Sequence, residues 1–360
     1  MELSDGLIYF WLSISGISSR RANKLLGELS PYEIWEGIGK LPSLVDAIGE
    51  KNYATLLRFK SEEFLQNSIN RLSDMGISYI TRDKFPECLC QAEVDPPLML
   101  YYKGDISLLD SPSVAIVGTR VCSSYGKEAA ARLSRELCER GVTIVSGLAS
   151  GIDTYAHRAA LKSGGKTVAV LGSGLNRVTP TSNIGLSEEI INSGRLIVSE
   201  YPPNADATRY TFPERNRIIS GLSKGVIVVE AGEKSGALIT AGFAEEQGRT
   251  VFAVPGNITS LKSVGSNRLL YDGAVPALSG DDICYTLGIE SDQKEKNSRV
   301  IQLDIFEQKI YNILQLGEES FDALVEKSEM PPHKLSAILS SLEIKGVITK
   351  LQSNIYRIEV

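Results

Sequence analysis

Histidine appears only twice in this chain of 360 residues, and of its five cysteines only Cys88 and Cys90 stand close together. That supply suits neither a zinc cluster nor a disulfide framework, so no metal is expected. Long apolar runs are missing too: none approaches the roughly eighteen residues of a membrane helix. The start, Met1-Glu2-Leu3-Ser4-Asp5, lacks the basic beginning and apolar stretch of a secretory signal. These absences lead us to expect a cytoplasmic protein with no membrane contact and no cofactor.

A surplus of positive charge is also absent, since 38 Lys and Arg face 44 Asp and Glu for a net charge of -6. Over the whole chain that balance argues against a polyanionic partner. Its distribution argues the other way. From Ser111 to Gly280, 18 basic residues stand against 14 acidic ones, a balance of +4, while the rest of the chain carries 20 against 30, or -10. Twelve of those 18 cations are arginine, whose planar fork suits phosphate better than the lysine ammonium does.

The same middle segment holds six short apolar runs, each stopped by glycine or a small polar turn. They are Val114 to Val117, Thr143 to Val145, Val168 to Leu171, Leu196 to Val198, Val226 to Val229 and Val251 to Val254. Each reads as a buried parallel strand. Helical stretches such as Lys127 to Arg140 and Ile152 to Ser163 lie between them, which predicts βα crossovers and a doubly wound α/β sheet of Rossmann type. Ligands of such sheets sit at the carboxyl ends of the strands. Those ends carry Gly118-Thr119-Arg120, Ser146-Gly147 through Gly151 and Asp153, Gly172-Ser173-Gly174, and Glu230-Ala231-Gly232 through Ser235-Gly236.

The length predicts more than one domain. Residues 1–77 read as a helical domain, with amphipathic stretches at Leu7 to Leu12, Ser19 to Leu26 and Ser61 to Met75. In it, Ile14-Ser15-Gly16-Ile17 resembles a helix-hairpin-helix turn, whose backbone N–H groups suit a phosphate. Residues 78–287 form the α/β domain, entered through a strand at Ile77 to Thr81 and a loop running to Gly104. Polar residues 288–300 read as a linker. In 301–360, three helices and two short alternating strands have the order of a winged helix. Six basic residues face nine acidic ones there, which favours protein contact or autoregulation over tight duplex binding.

Phosphate-loop chemistry fails on spacing. Ala160 and Val121 occupy the place where the first glycine would precede Gly165-Lys166 and Gly126-Lys127. Gly172-Ser173-Gly174-Leu175-Asn176-Arg177 does not complete a dinucleotide fingerprint either. What remains is a set of anion-friendly turns edged by arginine. Gly118-Thr119-Arg120 precedes the helix near Ser124, so N–H groups and a guanidinium can share a phosphate. Ser146, Gly147 and Gly151 do likewise on the next strand, with Asp153 as a helix N-cap. His157 reads as packed or solvated rather than catalytic. In Arg209-Tyr210-Thr211-Phe212-Pro213-Glu214-Arg215-Asn216-Arg217, aromatic rings interleave with arginines, the composition of a single-strand platform. Equally open is a reading with Phe212 in the core and Arg215 and Arg217 paired with Glu200 and Glu230.

Taken in order, Val117-Gly118-Thr119-Arg120 with Tyr125-Gly126, Ser146 to Asp153 with Ala156-His157, Phe212 to Arg217, Glu230-Ala231-Gly232 with Ser235 to Ala241, and Gly265-Ser266-Asn267 resemble the DprA/Smf family of DNA-processing proteins. The resemblance is dense from Phe85 to Ala277 and looser at both ends. It implies an extended Rossmann domain, a sterile-alpha-motif-like helical domain before it and, in many members, a winged helix after it. It further implies a homodimer that binds single-stranded DNA without sequence preference and loads RecA recombinase onto it in natural transformation, with no catalytic residue. Carried over by position, Arg120 and Arg209 grip phosphates, Phe212 stacks a base, and Gly118 and Gly147 admit the backbone. The family usually has lysine where this chain has Arg209. The chief alternative is a nucleotide-binding enzyme of the phosphoribohydrolase type, although its Pro-Gly-Gly loop is not matched at Glu230 to Thr240. A duplex-binding transcription factor using the winged helix is the third.

Overall fold

The computed structural model describes residues 4–290, 303–315, 317–351 and 354–358. By its contacts the chain divides into two compact units after Asp292. Most of the expected linker lies outside the described residues.

In the first unit all six predicted strands form, within a sheet of nine. Its strands are β1 (Ser78–Thr81), β2 (Met99–Gly104), β3 (Ser113–Val117), β4 (Thr143–Ser146), β5 (Thr167–Leu171), β6 (Leu196–Ser199), β7 (Gly225–Val228), β8 (Thr250–Ala253) and β9 (Val275–Pro276). Their spatial order is β1-β2-β6-β5-β4-β3-β7-β8-β9. Strands β3 to β9 run parallel, while β2 pairs antiparallel with both β1 and β6. The stretch expected as loop up to Gly104 thus contains a strand. Pro96-Pro97 and the polar end of this stretch hide it, and only the long-range register Tyr101 to Ser199 makes it one. From β3 the chain steps outward through β4 and β5 to β6, then returns to β7 on β3's other side. This reversal beside β3 is where a doubly wound sheet opens a crevice.

Alternation along the strands sorts the core into layers. Ala115 and Val117 face a cluster with Ile218, Ile219, Ala237 and Ala241, whereas Val114 and Ile116 face one with Ala130, Leu133, Ile152 and Ala156. Helices Thr211–Gly221 and Gly236–Glu246 therefore cover one face, and helices Ser124–Cys138 and Ile152–Lys162 the other. The six amino-terminal helices, from Asp5–Ile14 to Glu62–Asp74, share a third cluster with Met99, Tyr101, Leu171 and Ile197 of the sheet. Trp11 anchors them, packed edge-on against Trp35 at 4.7 Å and donating its indole N–H to the Leu56 carbonyl at 2.9 Å. At the hairpin turn Gly16 takes φ +77°. Two of the N–H groups offered there are used internally, Gly16 to the Ser13 carbonyl and Ile17 to the Ser15 hydroxyl.

The second unit has the winged-helix order. Helices Ile305–Leu314, Phe321–Ser328 and Pro332–Ile344 accompany strands β10 (Glu319–Ser320), β11 (Ile348–Lys350) and β12 (Ile355–Ile358), the first of which was not expected. Glu307 is buried, and its bond to the Lys345 ammonium holds its carboxyl down to about 2. No described helix in either unit is long and apolar enough to cross a membrane.

His157 lies inside the first unit, fully buried. The Thr167 hydroxyl spends its proton on the Ile144 carbonyl at 2.8 Å, so His157 Nδ1 is the donor in their 2.7 Å contact. Burial, reinforced by the Arg215 charge, depresses the imidazole pKa to about 3. The unfolded chain then binds a proton that the folded protein refuses. Stability contributed by the neutral ring is complete above the unfolded pKa near 6.5 and falls as pH drops toward 3. Urea unfolding should show roughly 2 kcal/mol less stability from this group at pH 5 than at pH 7. His157→Gln should flatten that slope, and an unchanged slope would remove His157 as its source.

Candidate nucleic-acid interface

At the switch point the loops after β3, β4 and β7 meet the start of helix Thr211–Gly221 around a pocket of about 720 Å3. Arg120 and Arg209 line it as exposed residues, Phe212 is half-buried, and Thr119, Asn216, Ser235 and Gly236 complete the wall. The Arg120 guanidinium lies 5.0 Å from the Phe212 ring centre, and Arg209 stacks on Tyr210 at 4.7 Å. Both are cation–π contacts. Phe212 stands against Gly172, where an added Cβ would come within 3.0 Å of the ring.

The helix decides which members of the arginine motif meet. Residues three and four apart share a face, so Phe212, Arg215 and Asn216 turn to the pocket while Glu214 and Arg217 turn away. Arg217 is 6% exposed, and its Nη2 lies 2.7 Å from Glu200 Oε2. Arg217 therefore leaves the platform for the ion pair with Glu200 that the alternative reading allowed. Arg215 reaches the pocket but is buried, donating to the carbonyls of Gly147 and Val170 rather than pairing with Glu230. Burial lowers its pKa to about 10, with Asp153 opposing.

The anion-binding turns also differ from expectation. Thr119 N–H donates to the Glu230 carbonyl at 2.8 Å, Ser123 N–H to the Glu230 carboxylate at 2.9 Å, and Gly126 N–H to the Ser123 hydroxyl at 3.1 Å. These donors are committed to the protein's own oxygens. On the neighbouring loop Gly147 and Ala149 give their N–H groups to Asp153 Oδ2 at 3.1 and 3.3 Å. Asp153 is thus a buried brace within the helix's first turn, and the cap position belongs to Gly151. Burial raises its pKa, while Arg215 and the two N–H groups oppose the rise.

The glycines make room for protein atoms. A Cβ on Gly118 would lie 2.5 Å from Ile152, and one on Gly147 would lie 2.5 Å from the Arg215 guanidinium. Gly151, at φ +79°, sits where a Cβ would fall 2.3 Å from the Thr119 carbonyl oxygen. Ser146 is fully buried, with its hydroxyl on the Ile116 carbonyl. Two supporting residues gave no sequence signal. Leu148, buried at φ +55°, holds a conformation rare for a branched residue, and Asn183 ties its carbonyl at 2.9 Å. Glu230, at the end of β7, is 2% exposed and turned to Ser123.

A pocket of arginine and aromatic side chains at this switch point sits inside the region that the family described as DNA recombination-mediator protein A matches, residues 76–288. The chain belongs to this DprA/Smf family. Residues 295–354 match the DprA winged helix domain. Among relatives, DNA processing protein DprA of Streptococcus pneumoniae is 48% identical over 79% of this chain and 98% of its own length. DprA of Bacillus subtilis is 38% identical over 73% of this chain and 91% of its own. The X-ray structure of the S. pneumoniae protein superposes with TM-score 0.66 and 37% identity, covering 79% of this chain and 98% of that one. A Helicobacter pylori DprA structure, described by its single-stranded DNA binding mode, matches with TM-score 0.53 and 33% identity over 59% of this chain and 97% of that one.

Removing the Arg217 guanidinium would leave Glu200, 2.7 Å away, charged in a site where both side chains are over nine-tenths buried. Arg217→Ala in this DprA-family chain should therefore lower unfolding free energy by about 3 to 5 kcal/mol. Chemical denaturation measures it, and a loss under about 1 kcal/mol would show that the pair is solvated.

Proposed function

We propose that this chain binds single-stranded DNA without sequence preference through the switch-point pocket, as a cytoplasmic homodimer that delivers the strand to RecA recombinase in natural transformation. The carrying observation is the pairing of exposed Arg120 and Arg209 with the half-buried Phe212 at one rim. Family membership and the single-stranded DNA binding of the H. pylori relative support it. In this reading no bond is made or broken.

The two arginines meet phosphates, a sequence-blind interaction. Phe212 offers a π-face to any base. Since Arg120 now covers that ring at 5.0 Å, the strand exchanges one contact for two: the guanidinium moves to a phosphate and the base takes the ring. Thr119, Asn216, Ser235 and Gly236 add polar contacts along the wall. Arg215 and Asp153 hold the floor, while Gly118, Ser146, Gly147, Gly151, Gly172 and Arg217 fix the loops.

Anisotropy of labelled oligothymidine should show tight, salt-sensitive binding, with matched duplex much weaker. Arg120→Ala and Arg209→Ala should each weaken all sequences alike and reduce the salt slope by about 0.7. Phe212→Ala should cost about 1 to 3 kcal/mol of binding. An unchanged slope in both arginine variants would remove the rim from the DNA path, and absence of single-strand binding at low salt would sink the proposal.

A further inference from the structure

The loop that carries Arg120 touches the start of helix Ile152–Lys162. The Thr119 carbonyl accepts the Ile152 N–H at 3.2 Å, and a Cβ on Gly151 would fall 2.7 Å from the Arg120 carbonyl oxygen. Tyr155 stands one turn further, its N–H on the Gly151 carbonyl at 3.2 Å, and its half-buried ring has the Lys127 ammonium 5.4 Å from its centre. A second ring faced by a cation thus lies one helical turn from the Arg120 loop, outside the pocket that holds Phe212.

Charge sorts the surface beyond it. Residues three and four apart share a helix face, so Tyr155, Arg158 and Lys162 line one side of the helix, both cations exposed. The only acid in this helix is Asp153, which is buried. In the neighbouring segment Arg132 is paired with Glu136 and Arg140 with Asp281. Arg268, over the Tyr271 ring at 4.8 Å, is likewise held by Asp272. Among the described residues Lys127, Arg158 and Lys162 have no ion pair. A cation without a carboxylate has its charge free for a phosphate.

We infer that single-stranded DNA leaving the pocket past Arg120 continues along this helix, with a base stacked on Tyr155 and phosphates on Lys127, Arg158 and Lys162. As at Phe212, the base takes the ring and the cation that covered it goes to a phosphate. The path rests on the pocket binding DNA as proposed above, and it makes affinity depend on strand length.

Anisotropy titrations of the full chain with labelled oligothymidines of increasing length test it, with folding of each variant checked by circular dichroism. On a long strand Tyr155→Leu should bind roughly tenfold more weakly, while Tyr155→Phe, which keeps the ring, should match the unaltered chain. Arg158→Gln with Lys162→Gln should lower the salt slope by about 1.4, or about 0.7 for each phosphate. Tyr32→Ala, at an exposed tyrosine of helix Pro31–Gly37, should change nothing. On the shortest strand whose binding still needs Phe212, all these variants should match the unaltered chain. Full affinity and slope of Tyr155→Leu and the double variant on the long strand, with Phe212→Ala still weakening it, would overturn the path and leave the pocket. Equal losses on short and long strands would also overturn it, by showing that the helix only supports the pocket. Full affinity of Phe212→Ala on every strand would remove pocket and path together.

Discussion

The carboxylate of Glu230, 2% exposed, sits against the first turn of helix Ser124–Cys138, held by the N–H and hydroxyl of Ser123. Negative charge there is favoured by the helix dipole and the unpaired N–H groups of the first turn. Gly126 leaves room for it, since a Cβ would fall 2.3 Å from Oε2. The same residue's carbonyl takes the Thr119 N–H. Glu230, through its carboxylate and its main-chain carbonyl, thus joins the ends of β3 and β7 on either side of the switch point, and Arg120 departs from a loop whose position it sets.

This internal anion changes how the pocket handles an external one. A helix N-terminus filled by the protein's own carboxylate is closed to phosphate, and the loop after β4 is closed in the same way by Asp153. In the proposed binding, recognition passes from main-chain amides to side chains. Guanidinium groups on flexible stems reach a backbone of any sequence and let go as salt rises, which suits the proposed holding and release of a strand.

Helix Thr211–Gly221 divides the labour of the unit. Its pocket side carries Phe212 and Asn216 over the buried Arg215, and its other side carries Arg217 on Glu200 beneath the amino-terminal helices. Buried charges on both sides are held by oxygens from other segments: Gly147 and Val170 for Arg215, Glu200 for Arg217. Losing any of these leaves a desolvated charge, so the position of Phe212 is tied to the packing of the sheet.

Local sequence alone determined the parallel strands, the crossover helices and the winged-helix order, because runs of β-branched residues, glycine stops and helical periodicity act over a few neighbouring residues. It also marked Arg120, Arg209 and Phe212, whose types announce phosphate and base chemistry. Tertiary structure decided the rest. Strand β2 exists through its register with β6; Asp153 is a brace because the Gly147 and Ala149 amides come to it; Arg217 leaves the platform because Glu200 waits on the other side of the helix. Each outcome rests on a partner far along the chain or on the direction a helix points a side chain, and neither is encoded in the spacing of the motif itself.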